Sequence, residues 1–352
     1  MRFLFYIPDS PVARGGISVV FDIIEVLNAN GIEALALYGR PDFEYKCHVV
    51  TAPRVWSTFV HAPNTNAGLK HVARVFRDYA LRHNPKPLSN TVPCPEWLVE
   101  ADDVVIVPEY VADWLPDSLP RHLRLILFNQ NPFTLIRAYA RPGFKGDRFS
   151  KSLSSSEACS AGSRMVFGAE PEKVPLYISN DLYAYQKHKS FQIAYMPRKR
   201  GRDSAALIKT LKAVPSLQNI PFVPIDGVST DEAARLLRES LFFLSLPERE
   251  GFGLPAAEAM ATGALVIGYT GIGGDEFFND TSGFPVPEDN LMMLYETVIA
   301  VIARYRENPK PLDEFRLQAS ETILRNYSRR EFEQEVIKIF SEFQKSSFSE
   351  LA

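Results

Sequence analysis

The first forty residues alternate between short apolar runs and a helical pattern. An apolar run at Phe3–Ile7 is followed by a polar loop over residues 9–16, and apolar residues then recur at helical spacing from Ile17 to Leu27. A second apolar run spans Ala34–Tyr38. A strand, a helix and a strand within about 35 residues have the size of a βαβ crossover. The pattern therefore predicts a parallel sheet that places ligands at the carboxyl ends of its strands.

The same alternation continues along most of the chain. Further strands are predicted at His48–Val50, Val55–Val60, Val104–Val107, Leu123–Phe128, Val166–Phe167, Val174–Ile178, Phe191–Met196, Phe222–Ile225, Leu241–Leu246 and Leu265–Tyr269. Further helices are predicted at Gly68–Leu81, Ala205–Leu211, Asp231–Leu237, Pro255–Ala261 and Leu291–Tyr305. Residues 141–157 show little periodicity and are predicted as a loop.

Two α/β units of similar size predict a two-lobed protein with a cleft between the lobes. We expect the segment Ser179–Ser190 to be the hinge, so that residues 1–183 form the N-terminal lobe and residues 184–327 the C-terminal lobe. The segment Ser328–Phe343 has one apolar stripe and is predicted as an amphipathic helix. Because it follows the complete second lobe, we expect residues 328–352 to pack back on the N-terminal lobe.

Composition and charge exclude several classes of protein. Hydrophobic residues make up 46% of the chain and charged residues 23%. This composition is too apolar for a disordered protein. The 39 basic and 42 acidic residues give a net charge of -3, so the chain lacks the basic character of a nucleic-acid binder. The six histidines form no HExxH or HxxxH pair, which disfavours a zinc site.

The number of cysteines and the hydropathy of the chain indicate where in the cell the protein is expected. Cys47, Cys94 and Cys159 are widely spaced and odd in number, as in a reduced, cytoplasmic protein. The apolar run at the N-terminus is too short for a signal peptide, and no stretch reaches the roughly 18 apolar residues of a transmembrane helix. A cytoplasmic location is expected, and any membrane contact would be peripheral, at the inner face.

The segment from Leu241 to Phe278 carries the strongest chemical signal. Glu250 follows a predicted strand in a loop with Gly251 and Gly253, where glycine lets the backbone approach a ligand closely. Pro255 suits the first helical position, which places Glu258 in the first turn at the positive end of the helix dipole. Taken singly, such carboxylates are more often solvated charges. Together with free helix amides, they suit a phosphate flanked by sugar hydroxyls.

Two further features could serve the same ligand. The loop Gly271–Gly274 follows the next predicted strand, and its amides could contact a phosphate or simply form a turn. The cations Arg198, Lys199, Arg200 and Arg202 follow the strand Phe191–Met196. An arginine there can fork onto a diphosphate, and the alternative is a solvated basic loop.

These residues resemble the retaining glycosyltransferases of family 4, also called group 1, whose mark is two glutamates separated by seven residues. Glu250 and Glu258 match that spacing, and Gly251-Phe252-Gly253-Leu254-Pro255 matches its commonest filling. The resemblance covers the C-terminal half, through Gly273-Gly274 and the closing segment Tyr327-Ser328. In the N-terminal half it rests mainly on the loop at Gly15-Gly16.

The resemblance implies the GT-B fold, an α/β architecture in which two Rossmann-like lobes face each other across a cleft and a C-terminal helix crosses back. Glu250 would contact the donor sugar and Glu258 the ribose of the nucleotide. The amides of Phe252, Gly253 and Leu254 would lie near the sugar and the diphosphate. Arg198 matches the family's phosphate-binding arginine, and Gly15 and Gly16 would also border the donor.

Two positions depart from the family pattern. Where the family usually has a second phosphate-binding lysine, this chain has Asp203, and Arg202 is the nearest cation. Lys199 and Arg202 are both expected at the donor site. Where family members often have a histidine near the anomeric carbon, the best match here is Gln130, which can donate a hydrogen bond but cannot titrate.

The expected activity is transfer of a sugar from a nucleoside-diphosphate sugar to a hydroxyl of a saccharide or lipid-linked saccharide. No DxD motif ends a strand, so we expect neither a metal nor another cofactor, with cations and amides stabilising the leaving group. One alternative is a non-catalytic scaffold that binds sugar nucleotides. Another is a different GT-B enzyme, such as a nucleotide-sugar epimerase. A NAD-dependent enzyme is disfavoured because the Gly15-Gly16 loop lacks GxGxxG spacing.

Overall fold

The computed structural model describes residues 1–8, 15–41, 52–60 and 93–349. The predicted helix Gly68–Leu81, the predicted strand His48–Val50 and most of the loop before Gly15 lie outside these residues.

The first sheet contains seven strands of the described residues, in the order β3-β2-β1-β4-β5-β6-β7. The strands are β1 (Phe3–Tyr6), β2 (Ala34–Tyr38), β3 (Arg54–Trp56), β4 (Val104–Pro108), β5 (Arg124–Asn129), β6 (Phe149–Ser154) and β7 (Glu172–Lys173). The helices of this part are α1 (Gly15–Ala29), α2 (Leu115–Ser118), α3 (Pro132–Tyr139), α4 (Glu157–Phe167) and α5 (Asn180–Tyr183). Strand β1 pairs in parallel with both β2 and β4, which confirms the βαβ unit predicted at the start of the chain.

The second sheet has the order β12-β11-β10-β8-β9, with parallel pairing throughout. Its strands are β8 (Ser190–Tyr195), β9 (Phe222–Pro224), β10 (Ser240–Ser245), β11 (Leu265–Gly268) and β12 (Phe284–Pro285). The accompanying helices are α6 (Gly201–Ala213), α7 (Thr230–Glu239), α8 (Leu254–Ala261), α9 (Leu291–Glu307), α10 (Pro309–Asn326) and α11 (Arg329–Ser349). The predicted strands and helices between residues 191 and 305 are confirmed, each within a few residues.

The predictions for residues 141–178 are partly wrong. Strand β6 lies inside the predicted loop, and residues 166 and 167 end a helix rather than forming a strand. The helix is α4, which the Ser156 hydroxyl caps by accepting from the Cys159 amide and which Gly168 ends with a φ of 68°. The two caps stabilise the helix, and this stabilisation outweighs the strand preference of the short apolar pair Val166–Phe167. The only strand after α4 and before residue 190 is β7, at residues 172 and 173 rather than 174–178.

Contacts between residues divide the chain into two compact units, each with its own apolar core. The first unit comprises residues 1–128, 137–151 and 343–352, and the second comprises residues 129–136 and 152–342. The first core includes Leu4, Leu37, Trp97, Val105 and Leu125. The second core includes Phe242, Leu244, Ile267, Val298 and Ile302. Apolar burial of this kind is the main favourable contribution to folding.

The segment that links α5 to β8 is fastened to neighbouring helices. The Arg316 guanidinium on α10 donates to the carbonyls of Gln186 and Lys187 at 2.9 and 2.7 Å. The partly buried Lys189 amine donates to the carbonyls of Leu237 and Arg238, at the end of α7, at 2.9 and 2.8 Å. Burial, together with neighbouring positive charges, lowers the pKa of Lys189 to about 6.

Helix α11 returns to residues that precede the second sheet. Phe332 is fully buried and stacks on Tyr177 with ring centroids 5.0 Å apart, and Arg329 donates to the Tyr177 hydroxyl. Near its other end, Phe343 lies under the Lys151 ammonium. The amphipathic helix predicted over residues 328–343 is present as α11, which runs on to Ser349. Its packing on the N-terminal lobe stays a prediction. No helix in the described part of the chain is both long and apolar enough to cross a membrane.

Candidate functional site

The loop between β10 and α8 is held against the loop that follows β11. The Glu250 amide donates to the Gly271 carbonyl at 2.9 Å, and Glu250 and Ile272 form a parallel bridge. Arg249 and Ile272 both have positive φ, at 52° and 69°. Each loop therefore contains one residue in a conformation that is uncommon outside glycine. The carboxyl ends of β10 and β11 thus present Glu250 from a fixed backbone position.

Glycine is required where this loop meets other backbone. A Cβ on Gly251 would overlap the Gln130 carbonyl, and a Cβ on Gly273 would overlap the Gly251 carbonyl. Gly253 has a φ of 97°, which disfavours any other residue at this position. At Gly251 and Gly273, the missing side chain allows close contact between backbone segments, and at Gly253 it allows a positive φ.

Helix α8 begins one residue earlier than predicted, which changes the position of Glu258. The helix starts at Leu254, so Pro255 is its second residue and Glu258 lies in the second turn. The prediction that Glu258 lies in the first turn is wrong, because the positive φ of Gly253 lets the helix begin directly after it. The amides of Phe252 and Gly253, just before the helix, donate to no residue that the structure describes. They can therefore receive an anion.

The Glu258 carboxyl lies against Tyr183 on α5. Burial raises the pKa of Glu258 to about 7, although the Tyr183 hydroxyl, which donates to the carboxyl, opposes the rise. Burial and the neighbouring Glu258 charge also raise the pKa of the Tyr183 hydroxyl. The pair places a titratable carboxyl beside a permanent donor, an arrangement that the sequence did not reveal because residues 183 and 258 are far apart in the chain.

The basic cluster divides into two kinds of residue. Lys199 forms an ion pair with Glu250, and both side chains line a pocket together with Arg198, Gly253 and Thr270. Arg202, in the first turn of α6, is exposed and lies outside that pocket.

Arg200 is occupied by protein groups instead. Its Nε donates to the Pro247 carbonyl at 2.7 Å, its guanidinium pairs with Glu288 and Asp289, and the guanidinium lies over the ring of Tyr269. Glu288 in turn accepts from the Gly271 amide at 2.7 Å, so this amide of the glycine-rich loop is not available to a phosphate.

The segment after β5 lies on the loop of Glu250. The Asn131 side chain donates to the Arg249 carbonyl at 2.9 Å, and the Gln130 carbonyl packs on Gly251. Gln130 and Glu250, which are predicted to lie near the anomeric carbon and the donor sugar, therefore lie in contacting loops of the second unit. Gly15 and Gly16 are the first two residues of α1, in the first unit.

Residues outside the predicted site also support the loop. The Ser156 hydroxyl donates to the Gly251 carbonyl, and the Glu276 carboxylate accepts from the Glu157 amide at 2.7 Å. Tyr327 donates to the same carboxylate and packs on Phe252 with ring centroids 5.0 Å apart. Tyr327 belongs to the closing segment of the family resemblance. For Ser156 the available sequence signal is a serine directly before an acidic residue, which is typical of a helix N-cap.

No protein-family model matches the chain. In sequence it is similar to an alpha-1,6-glucosyltransferase from Actinobacillus pleuropneumoniae serotype 7. The two are 28% identical over 257 residues, which is 68% of this chain and 75% of that protein. The chain is thus related to a glycosyltransferase, and the finer assignment to family 4 stays a prediction.

Solved structures resemble the whole chain. Sucrose-phosphate synthase from Thermosynechococcus elongatus has a TM-score of 0.65 at 12% identity, covering 98% of this chain and 99% of that one. Anabaena HepE in complex with UDP and glucose has a TM-score of 0.62 at 13% identity, with 97% and 100% covered. A TarM variant from S. aureus, in complex with fondaparinux, alpha-GlcNAc-glycerol and UDP, has a TM-score of 0.65 at 11% identity, with 97% and 100% covered. The chain has the α/β GT-B fold of these glycosyltransferases.

Proposed function

We propose that the protein is a retaining glycosyltransferase that moves a sugar from a nucleoside-diphosphate sugar to a hydroxyl of a saccharide or glycolipid acceptor, in polysaccharide or glycoconjugate synthesis. The observation that carries the proposal is the pocket at the carboxyl ends of β8, β10 and β11. It brings the Glu250 carboxylate and the Lys199 and Arg198 cations together beside the start of α8. The relationship to an alpha-1,6-glucosyltransferase supports the same reaction class.

In this proposal the diphosphate binds Arg198 and Lys199 and the free amides of Phe252 and Gly253. Lys199 exchanges its bond to Glu250 for a phosphate oxygen, which frees the carboxylate to accept hydrogen bonds from the sugar hydroxyls. Glu258 binds the ribose. The HepE and TarM structures are complexes with UDP, which makes a uridine-diphosphate sugar the first donor to test.

The chemistry then needs charge stabilisation more than a basic side chain. As the bond to the anomeric carbon breaks, negative charge grows on the leaving diphosphate, where the cations and amides are already placed. The acceptor hydroxyl attacks from the face that the diphosphate leaves, and its proton passes to the leaving phosphate oxygen. Glu250 orients the sugar, and the Gln130 amide supplies a hydrogen-bond donor near the reacting carbon.

The test is a screen of UDP-, GDP-, ADP- and dTDP-sugars. A cognate donor should raise the melting temperature, because it binds only the folded state, and should slowly release nucleoside diphosphate. With an acceptor, the anomeric configuration of the product, read by NMR, should equal that of the donor. Glu250→Gln is the control that should still bind nucleotide but lose release.

Two other outcomes identify the alternatives. Binding without any release of nucleoside diphosphate would support a non-catalytic scaffold. Conversion of the donor sugar without an acceptor would support a nucleotide-sugar epimerase. A product with inverted anomeric configuration would contradict the proposed retaining mechanism, but the protein would still be a glycosyltransferase.

A further inference from the structure

Two charged side chains tie together four loops that follow strands of the second sheet. Arg200 comes after β8 and reaches the loop after β10, where its Nε donates to the Pro247 carbonyl at 2.7 Å. Its guanidinium also pairs with Glu288, in the segment after β12, at 3.0 Å. Below it lies the ring of Tyr269, which follows β11, at 4.7 Å.

Glu288 extends the connection to Glu250. One carboxylate oxygen of Glu288 accepts from Arg200, and the other accepts from the Gly271 amide at 2.7 Å. The Gly271 carbonyl accepts from the Glu250 amide at 2.9 Å. A continuous series of hydrogen bonds therefore runs from Arg200 through Glu288 and Gly271 to the backbone of Glu250. We call Arg200 and Glu288 together the loop clasp.

The surroundings of the loop clasp favour a role in positioning over one in stability. The Arg200 side chain is 10% exposed and that of Glu288 is 28% exposed, so both charges lose much of their hydration. Desolvation at this depth offsets most of the attraction within a pair. What remains is geometry: a planar guanidinium can hold the Pro247 carbonyl and the Glu288 carboxylate at once, which a single ammonium cannot do in the same directions.

We propose that Arg200 and Glu288 are positioning residues that set the place of the Glu250 loop relative to the Gly271 loop. Because Glu250 is expected to hold the donor sugar, its displacement should reduce the reaction rate more than nucleotide affinity. This catalytic consequence rests on the proposed glycosyltransferase function. The structural part of the proposal does not, and it can be tested without any substrate.

The first experiment is hydrogen exchange measured by mass spectrometry on the full chain without substrate. Arg200→Met and Glu288→Ala should both increase exchange in peptides covering residues 246–253 and 269–276, and leave α9 unchanged. Arg235→Met is the matched control, since it removes an arginine that pairs with Glu232 and Glu239 on the exposed face of α7. Unchanged exchange in the two loops of both variants would overturn the proposal.

The second experiment is transfer kinetics with the donor that the screen identifies. Arg200→Met should lower kcat roughly 10- to 100-fold, as expected when a reacting group is displaced, and change the UDP dissociation constant by less than about threefold. Arg200→Lys should restore little of the rate. Because the two residues act as one unit, the double variant should be no slower than the slower single variant. Full recovery by Arg200→Lys, or additive losses, would overturn the proposal.

The two experiments separate the two ideas. If wild-type protein transfers no sugar but the variants loosen both loops, the loop clasp stands and the proposed function fails. If wild-type protein is active and the variants change neither exchange nor kcat, the loop clasp is wrong and the function stands. Should Arg200→Met fold poorly, Glu288→Gln provides the same test, because its amide oxygen still accepts from Gly271 while the charge facing Arg200 is lost.

Discussion

Glu250 and Glu258 carry the same side chain in opposite surroundings. Glu250 is 19% exposed and pairs with Lys199 at the pocket. Glu258 faces Tyr183, and burial raises its pKa to about 7. The two carboxyls therefore have different partners and different surroundings, which allows them to perform different tasks in one site.

Substitution of each carboxyl should separate nucleotide binding from turnover. Glu258→Ala should weaken UDP binding by roughly 1.5–3 kcal/mol if the carboxyl holds the ribose. Glu250→Ala should leave UDP binding unchanged or tighter, since Lys199 loses its partner, and should reduce turnover. Arg198→Ala should impair both, because the diphosphate is present in donor and product. Calorimetry with UDP beside transfer kinetics distinguishes the three, and a reversed pattern for the glutamates would contradict their assignment.

The raised pKa of Glu258 should also make stability depend on pH. Between its ordinary value near 4.5 and about 7, the folded protein keeps a proton that the unfolded chain has released. Stability from this group is therefore greatest below that window and is lost as pH rises through about 7. Relative to Glu258→Gln, the wild-type free energy of unfolding should fall by roughly 1–3 kcal/mol from pH 5 to pH 8. Denaturant titrations at both values measure this, and parallel curves would contradict it.

The sequence predicted part of this site because its signals are local. Glu250, Gly251 and Gly253 could be recognised from their spacing within one loop. The partners of Glu258 and Arg200 could not, since Tyr183 and Glu288 are 75 and 88 positions away and only tertiary packing brings them together. The sequence alone therefore groups Arg200 with the phosphate-binding cations, whereas in the structure its guanidinium binds Pro247 and Glu288.

At the scale of elements, the loop before α8 depends on an uncrowded backbone. Gly251→Ala should destabilise the protein by roughly 1–3 kcal/mol, because the added methyl group would overlap the Gln130 carbonyl. UDP binding should weaken as well, since the same loop carries the free amides. Gly201→Ala is the control. A methyl group at this position would meet no neighbouring atom, and Gly201 is the first residue of α6. Thermal unfolding of both variants measures the difference, and equal melting temperatures would contradict the prediction.

Elements were predicted well where burial is complete and poorly where it is not. All six residues of β10 are buried, and their apolar run identifies the strand. Strand β6 has the sequence FSKSLS and buries only its last two residues, so the lone sequence carries little apolar signal and the strand forms through sheet pairing. Helix α10 was missed because its buried stripe includes Arg316 and Ser320 among the apolar positions.

For the whole molecule, the balance of charges around the donor should make the reaction independent of divalent ions. Arg198 and Lys199, with the amides before α8, supply positive charge at the pocket where the diphosphate is expected. Transfer should therefore survive EDTA with little change in rate. The measurement is the initial rate with and without chelator, followed by addition of Mg²⁺ or Mn²⁺. A rate lost on chelation and restored by either ion would contradict the prediction.

The segment between α5 and β8, which the sequence predicts as a hinge, has a mechanical consequence. The Arg316 guanidinium holds two successive carbonyls of the segment, and Lys189 binds the end of α7. Rotating the backbone here would break several partly buried hydrogen bonds at once, and such bonds are costly to leave unmade. Under a stretching force, this segment should therefore behave as a stiff part of the second unit. It would transmit the force to α7 and α10 and would not extend itself.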